Sequence, residues 1–270
     1  MGVVRIILFT NMSNMKMSHK EISVSGLANE RWVASLLTQG TNMTHLPLAR
    51  FLGFDPNKHF SFNAFKTGGV GKTDVIMQIF QSQHGVFPTH VKLSCKKLMA
   101  ESHNGFGHIH KTTIASYKHK WQFDDIIERC LNVYCGNLIV EGKKGLYFDH
   151  KYFEPYQEYI KYFFRNNFDQ VFSDIFKGRG TNKPEWFAVT ADTGVSKLLF
   201  VAPIEDVIQY MKGDRVVRFG KGSKNHNLCL GNVTMYSKRA TGQLQFKTNY
   251  KPMLKELNHK FRIFTFDTED

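Results

Sequence analysis

The sequence lacks several features that would place it in common classes of protein. Its 270 residues contain no apolar run near the ~18–20 residues that a membrane-spanning helix needs, so no membrane partner is expected. The first residues are apolar for only a few positions, which is too short for a signal peptide. Cys95, Cys130, Cys135 and Cys229 form no C-x-x-C pair. We therefore expect no zinc site, and reduced thiols in a cytoplasmic protein.

The chain also lacks internal repeats, low-complexity tracts and linkers rich in proline or serine. We therefore predict one domain over residues 1–270, long enough to bury a sizeable core. The charge is strongly one-sided, with 36 Lys and Arg against 23 Asp and Glu and a formal net charge of +13. Such an excess favours a polyanionic partner, although a basic protein without such a partner is the alternative.

Hydrophobic periodicity predicts both helices and strands. Helical spacing of apolar residues occurs over 26–38, 122–134 and 152–176, and Gly136 is a stop signal for the second of these. Strand-like segments are predicted at 75–80, 90–95, 186–191, 197–202, 232–236 and 243–248. A glycine- and histidine-rich loop is predicted over 102–111. This order predicts a mixed α/β domain with a central β-sheet flanked by helices.

The most informative segment is a predicted β-hairpin at about residues 70–97. Its strands, 75–80 and 90–95, flank a polar turn over 81–88 that contains Gly85 and Pro88. Side chains two positions apart in a strand point to the same face, so His90 and Lys92 share one face. An acid, Asp74, a polar side chain and a lysine are therefore expected to converge at one edge of the sheet.

A phosphate-binding loop is the first alternative for this region, because residues 68–73 read GGVGKT. The Walker motif requires an additional glycine where Lys66 stands, and a helix that begins directly after the loop. The preceding SFNAFKT is a poor strand, and the following DVIMQIF has the period of a strand. A nucleotide hydrolase that uses Gly71, Lys72 and Thr73 is therefore kept only as an alternative.

The hairpin and four further segments occur in the order found in a known group of proteins. These segments are GGVGKTDVIMQ…HVKLSCKK, GFGHIHK at 105–111, WQFDDIIERCL at 121–131, DIFKGRG at 174–180 with EWFAVTA at 185–191, and GNVTMYSKRATGQLQFK at 231–247. Together they resemble the small Type II restriction endonucleases of the PD-(D/E)xK superfamily, the MspI and HinP type. These enzymes cut CCGG and GCGC, respectively. The resemblance covers roughly residues 25–250.

The resemblance implies roles for the hairpin residues. Asp74 would be the carboxylate that holds Mg²⁺, with the Val91 carbonyl as a further ligand. Lys92 would be the catalytic lysine, and His90 stands where the superfamily has an acid. His90 could bond the water or the phosphate, act as a base, or be an ordinary strand histidine. Glu30 is a candidate outer or second-metal carboxylate, and a helix-surface charge is its alternative.

The resemblance also implies DNA-contacting residues in two recognition elements, about 102–111 and 215–250. Phe106 would be a wedge between base steps, and His108 and Lys111 would read base edges. A Phe106 side chain folded back onto the core is the alternative for the wedge. Further contacts with bases or phosphates are expected from Lys96, Lys97, Arg179, Lys224 and Lys247, for which a solvated basic face is the alternative.

The function implied is a Mg²⁺-dependent, site-specific endonuclease of double-stranded DNA. The predicted site is a short G·C-rich palindrome, with GCGC ahead of CCGG. A monomer or weak dimer is expected, together with a cognate DNA methyltransferase in the same system. Besides the nucleotide hydrolase, a DNA-binding relative with a dead catalytic site is the second alternative, because His90 departs from the consensus.

Overall fold

The computed structural model describes most of the chain. The described residues are 19–39, 42–54, 60–67, 72–81, 89–98, 106–192, 196–220 and 227–267. Nearly all of the predicted turn over 81–88 lies outside them, as does Lys224. Among the described residues, no helix has the length and apolar character needed to cross a membrane.

Helices and strands alternate in an irregular order along the chain. They are α1 His19–Gln39, α2 Asn42–Phe51, β1 Phe60–Lys66, β2 Val75–Gln81, β3 Thr89–Lys97, β4 Phe106–Thr113, α3 Ile114–Trp121, α4 Asp125–Cys135, β5 Ile139–Val140, β6 Lys143–Lys144, a 3₁₀ helix Lys151–Tyr156, α5 Gln157–Asn166, α6 Phe168–Phe176, β7 Trp186–Asp192, β8 Ser196–Pro203, α7 Ile204–Lys212, β9 Val217–Phe219, β10 Leu228–Leu230, β11 Val233–Lys238, β12 Gln243–Asn249, α8 Tyr250–Glu256 and β13 Arg262–Asp267. The prediction of a mixed α/β fold is confirmed.

The chain divides into two compact units. The first contains residues 1–105, 179–207 and 250–270, and the second contains residues 106–178 and 208–249. Each unit is therefore assembled from separate stretches of chain. The prediction of a single domain over 1–270 stays a prediction, because this division does not establish whether either unit folds alone.

The first unit is built on a six-stranded mixed sheet. Its strand order is β1-β2-β3-β7-β8-β13, in which β3 and β7 are parallel and all other neighbours are antiparallel. Val75, Met77 and Ile79 of β2 alternate with more exposed residues, and their side chains are buried in the core with Val33 and Leu37 of α1. The alternating pattern of the sequence therefore predicted β2 correctly, and β2 pairs antiparallel with β3 as expected. α1 covers one face of this pair.

The second unit contains an antiparallel five-stranded sheet with the order β4-β12-β11-β10-β9. Its core is aromatic: Trp121 stacks on Tyr117, with ring centroids 4.2 Å apart, and meets Phe246 edge to face. The indole Nε1 donates to the buried Asp174 Oδ2 at 2.9 Å. A buried carboxylate needs such a donor, because desolvation without a partner would be costly.

The second predicted helix is nearly correct in its bounds. Asp124 is the N-cap and accepts from the Ile127 N–H at 2.9 Å, so α4 begins at Asp125 rather than at residue 122. Gly136 ends this helix in the left-handed conformation, as its sequence position indicates.

Three other sequence predictions need correction. The single helix expected over 152–176 is a 3₁₀ helix followed by α5 and α6, with a break at Asn167. The stretch SFNAFKT, considered a poor strand, forms β1 because Phe62 and Ala64 alternate into the core. The loop expected over 102–111 is strand β4 from Phe106 onward, because this segment pairs with β12.

Gly231 is required at the turn between β10 and β11, since its φ is +52° and an added Cβ would lie 2.2 Å from the Lys212 carbonyl oxygen. Gly142 also has a positive φ, +71°, but nothing lies within 4 Å of its would-be Cβ.

We predict that Gly142→Ala costs about 1–2 kcal/mol of unfolding free energy, from backbone strain alone. Gly231→Ala should cost clearly more, at least about 3 kcal/mol, because backbone atoms must also move. Urea unfolding of the two variants checks this, and equal losses would contradict it.

Candidate functional site

Asp74 lies immediately before β2, where this strand parts from β3. Its N–H donates to the Leu93 carbonyl at 2.9 Å, and its carbonyl accepts from the Thr67 N–H at 3.0 Å. Val75 pairs with Leu93, so continuing the register by one residue places Asp74 opposite Ser94. The backbone at Asp74 is thus held on both sides, and its side chain is directed to a defined point along β3.

The Asp74 carboxylate makes three contacts with β3, all through Oδ2. This oxygen accepts from the Cys95 N–H at 2.7 Å, the Ser94 hydroxyl at 3.2 Å and the Lys96 ammonium at 3.2 Å. Among the described residues, Oδ1 accepts no hydrogen bond. The side chains of Asp74 and Lys96 are 23% and 20% exposed, respectively. The site therefore presents one unsatisfied carboxylate oxygen next to a lysine, at a partly exposed position.

The lysine beside Asp74 is Lys96, and not the predicted Lys92. Lys92 pairs with Ile76, and its ammonium donates to the Thr181 carbonyl at 2.8 Å. Lys92, Ser94 and Lys96 alternate on one face of β3, so the sequence pattern alone admits either lysine. The register decides between them, because Asp74 faces Ser94 and Lys96 extends back to it.

His90 and Val91 also lie away from the Asp74 carboxylate. His90 is exposed, faces Gln78 across the hairpin, and its Nε2 lies 3.1 Å from the Gln78 Nε2. Val91 is three residues from Ser94, which is roughly 10 Å along a strand, whereas two ligands of one Mg²⁺ lie at most about 4 Å apart. The Cys95 carbonyl is the better placed backbone oxygen, since it accepts from the Lys96 ammonium at 3.1 Å.

Glu30 extends from α1, which is fixed against the same sheet. The neighbouring Asn29 is buried, and its Oδ1 accepts from the hydroxyl of Thr190 on β7. The Glu30 Oε2 lies 3.1 Å from the Lys66 ammonium. Burial, and next the Asp74 charge, raise the pKa of the Cys95 thiol, and Glu30 contributes a smaller increase. The negative charges of Glu30 and Asp74 therefore both influence the Cys95 thiol of β3.

The described residues contain no group of three or more His, Cys, Asp or Glu side chains arranged to hold a metal ion. The oxygens at the hairpin are the Asp74 carboxylate and backbone carbonyls. Hard cations such as Mg²⁺ prefer oxygen ligands and usually retain several waters. The donor set at Asp74 therefore fits Mg²⁺ in kind, with the remaining positions left to water or substrate.

The second unit presents a polar surface of its own. On β4, β12 and β11 the strand register aligns nine positions of one sheet face in three rows, which we call the outer face: His108, Lys247 and Thr234; Lys111, Gln245 and Tyr236; Thr113, Gln243 and Lys238. Gln245, at the centre of these rows, is buried. A β-bulge between Phe246 and Lys247 keeps the alternation in phase, with His110 turned inward to the Tyr117 hydroxyl at 2.6 Å. None of the nine residues is acidic.

Lys238 influences the other two lysines of the outer face electrostatically. Burial, followed by the positive charge of Lys238, lowers the pKa of both Lys111 and Lys247. The Lys247 ammonium lies 5.1 Å from the centre of the Tyr236 ring. The predicted contact residues His108, Lys111 and Lys247 thus share one surface. Lys238 is a further member, which lies in the predicted recognition element 215–250 but was not singled out within it.

The remaining predicted DNA contacts are less informative. Lys97 and Arg179 are exposed, and Lys97 pairs with Thr190 on the face of β3 opposite to Lys96. The backbone of Phe106 starts β4, but the side chain lies outside the described residues, as does Lys224. Arg215, within the predicted recognition element 215–250, makes a bidentate ion pair with Asp169 at 2.9 Å, and both side chains are exposed.

The phosphate-loop alternative is not favoured by the geometry. Val75–Gln81, which follows the Gly71-Lys72-Thr73 triplet after Asp74, is a strand and not a helix. The Thr73 hydroxyl is buried and donates to the Asn182 carbonyl at 3.0 Å. A Walker threonine must instead reach a metal-bound nucleotide, at a helix N-terminus.

Comparison with known families decides the assignment. The model of the R.HinP1I restriction endonuclease family matches residues 52–253, which is most of the chain. The chain belongs to this family. The predicted restriction endonuclease activity is therefore confirmed at the level of enzyme class, and the matched residues include the whole hairpin and the outer face. Glu30 and Asn29 lie outside the match.

Two further comparisons add little to this assignment. No curated protein matches this restriction endonuclease. It is similar to a crystal structure of the restriction endonuclease MspI in complex with its cognate DNA, with 13% sequence identity and a TM-score of 0.45, over 86% of this chain and 93% of that chain. The family assignment does not depend on this likeness.

The Asn29–Thr190 bond should be measurable as a coupling, because it joins α1 to β7 in the core. We predict that Asn29→Ala or Thr190→Val alone costs about 1–3 kcal/mol of unfolding free energy, since each leaves a buried polar partner unsatisfied. The double variant should cost less than the sum of the two. Urea unfolding of all three variants measures the coupling, and strictly additive losses would refute the proposed bond.

Proposed function

We propose that this restriction endonuclease hydrolyses double-stranded DNA with Mg²⁺ at a short G·C-rich palindrome, with GCGC ahead of CCGG. The observation that carries the proposal is the Asp74 carboxylate, with one oxygen open and the Lys96 ammonium beside it, in a member of a restriction endonuclease family. The net charge of +13 and the acid-free outer face support a polyanionic substrate.

The metal would be held by Asp74 Oδ1 and the Cys95 carbonyl, with Glu30 as a carboxylate for an outer or second position. Bound there, Mg²⁺ would lower the pKa of a coordinated water and neutralise charge that develops on the scissile phosphate. The Ser94 hydroxyl and the Cys95 N–H donate to Asp74 Oδ2, and so fix the direction of Oδ1. Ser94 thereby stands where the superfamily has its second acid.

Lys96 is the proposed catalytic lysine. Its ammonium donates to Asp74 Oδ2 and to the Cys95 carbonyl, so two bonds hold it in place before substrate arrives. An ammonium has a third hydrogen, which is free to donate to the attacking water or to a phosphate oxygen. Preorganised donors of this kind stabilise the transition state without having to move. His90 and Lys92, further along the same face, are proposed as DNA contacts rather than metal-site residues.

Products with a 5′-phosphate and a 3′-hydroxyl are proposed, as in the family that the sequence resembles. A palindromic site has two scissile bonds, which a monomer can cut in sequence or a weak dimer together. A cognate methyltransferase that protects the host site is proposed as the partner enzyme.

The first experiment is digestion of phage DNA with the purified protein and Mg²⁺, followed by sequencing of the fragment ends. We expect discrete fragments whose ends share one four-base palindrome of G and C. Asp74→Asn removes the proposed ligand charge with little change in shape, and should abolish cleavage. DNA binding without cleavage in Mg²⁺ or Mn²⁺ would instead indicate a non-catalytic relative.

The choice of lysine gives a second test. We predict that Lys96→Ala lowers the single-turnover cleavage rate roughly 10²- to 10³-fold, as loss of a preorganised donor does elsewhere. Lys92→Ala, a change of the same size two residues away, should lower it less than about tenfold. Both rates are measured with saturating enzyme, so that weaker DNA binding does not contribute. A larger loss of cleavage rate in Lys92→Ala than in Lys96→Ala would contradict this and would indicate Lys92 as the catalytic lysine.

A further inference from the structure

Lys238 ends strand β11 at a corner of the outer face. It pairs with Gln243, and Lys111 pairs with Gln245, so the two lysines stand one row apart on either side of β12. The backbones of β11 and β4 are two strand spacings apart, about 10 Å, which two extended lysine side chains can span. Burial, and next the positive charge of Lys238, lower the pKa of Lys111, so the two ammonium groups are near enough to repel each other.

Lys247 lies on β12, two rows from Lys238 on the same face. Burial, and next the positive charge of Lys238, lower the pKa of Lys247. Positive charges held near one another raise the free energy of the folded state unless an anion or carboxylate offsets them. The outer face offers no carboxylate, because its nine positions carry only His, Lys, Thr, Gln and Tyr. The Tyr236 ring beneath Lys247 provides a partial offset only.

The positive surface continues beyond β11. In the row of Lys247, Thr234 pairs with Cys229 of β10, and Cys229 pairs with Arg218 of β9. Lys247 and Arg218 are therefore separated by three strand spacings, roughly 14 Å. Cations spread over this length on a sheet face suit an extended polyanion better than a small, compact anion.

We propose that Lys238 completes, with Lys111 and Lys247, a three-ammonium site for the electron-rich acceptors of a DNA duplex, either phosphate oxygens or the O6 and N7 edge of guanine. This inference rests on the proposed function for the identity of the polyanion. It adds to that function Lys238, which lies in the segment 231–247 that resembles the family but to which the resemblance gave no role. Binding of DNA offsets the repulsion between the lysines. The site therefore favours a surface with many hydrogen-bond acceptors, such as phosphate oxygens or guanine edges.

The test measures binding of a fluorescent duplex that contains the cleavage site, using the full chain with Asp74→Asn so that the duplex stays intact. We expect Lys238→Ala to weaken binding at least about fivefold at 0.1 M salt. The matched control is Lys255→Ala, which removes the same charge from an exposed position on α8 and should change binding less than about twofold. Lys238→Arg should restore most of the affinity, since it retains the charge.

Salt dependence and sequence preference separate the two acceptors. If Lys238 binds phosphate, the slope of log K against log salt falls by about 0.9, for cognate and unrelated duplexes alike. If it binds guanine, the preference for the cognate duplex falls instead and the slope is retained. Both results support the site. Equal binding by Lys238→Ala and Lys255→Ala would overturn it, as would a parent protein that binds no duplex.

Failure of this inference can be distinguished from failure of the proposed catalysis. A wild-type protein that binds duplex but does not cut it would contradict only the proposed hydrolysis, and the Lys238 variants would still decide the site. An NMR titration of lysine side chains gives an independent readout without DNA. Lys238→Ala should raise the pKa of both Lys111 and Lys247, because a neighbouring positive charge has been removed, and unchanged values would show that the three do not form a cluster.

Discussion

The bond from the Cys95 N–H to Asp74 Oδ2 organises the candidate active site. Because β2 begins only at Val75, it offers no backbone carbonyl to the Cys95 N–H of β3. The Asp74 carboxylate accepts the hydrogen bond from this N–H instead. A carboxylate held by these contacts of Oδ2 cannot rotate freely, and Oδ1 accepts no hydrogen bond from the described residues. The same contact therefore holds the end of β2 against β3 and fixes the carboxylate, which is the preorganisation that the proposed catalysis by a metal and a lysine would require.

Such a site depends on a balance between one acid and one base. The Lys96 ammonium compensates Asp74 at 3.2 Å, while Ser94, which is uncharged, occupies the position where a second acid would add repulsion. Burial keeps this pair from being screened entirely by water. The charge of Asp74 also reaches Tyr250 on α8, whose pKa is raised mainly by burial and next by Asp74. The charge of Asp74 thus raises the pKa of side chains on both β3 and α8, which are far apart in sequence.

The sequence predicted the elements of the hairpin but not their register. The segment HVKLSCK contains two polar-x-Lys patterns, His90-x-Lys92 and Ser94-x-Lys96, and both have the spacing that the chemistry needs. Which of them faces Asp74 depends on how residues 82–88 connect the strands, and hairpin register follows from connection geometry rather than from alternation of side chains. Alternation did identify β2, β3, β7 and β8 correctly, because their core faces are continuous. It missed β1, where Asn63 and Lys66 interrupt an apolar stretch, and the break at Asn167 between α5 and α6.

The candidate active site and the outer face differ in how their lysines are compensated, and this difference supports the roles proposed for them. Lys96 of the hairpin and Lys66 at the end of β1 each form an ion pair with a carboxylate, which compensates their charge within the protein. At the outer face, burial and next the positive charge of Lys238 lower the pKa of both Lys111 and Lys247. A lysine without a carboxylate partner contributes more binding free energy to a polyanion than an ion-paired lysine does, because no ion pair within the protein must first be broken. Affinity for DNA is therefore expected to come mainly from the outer face, and the hairpin is left to supply the groups that act on the scissile phosphate.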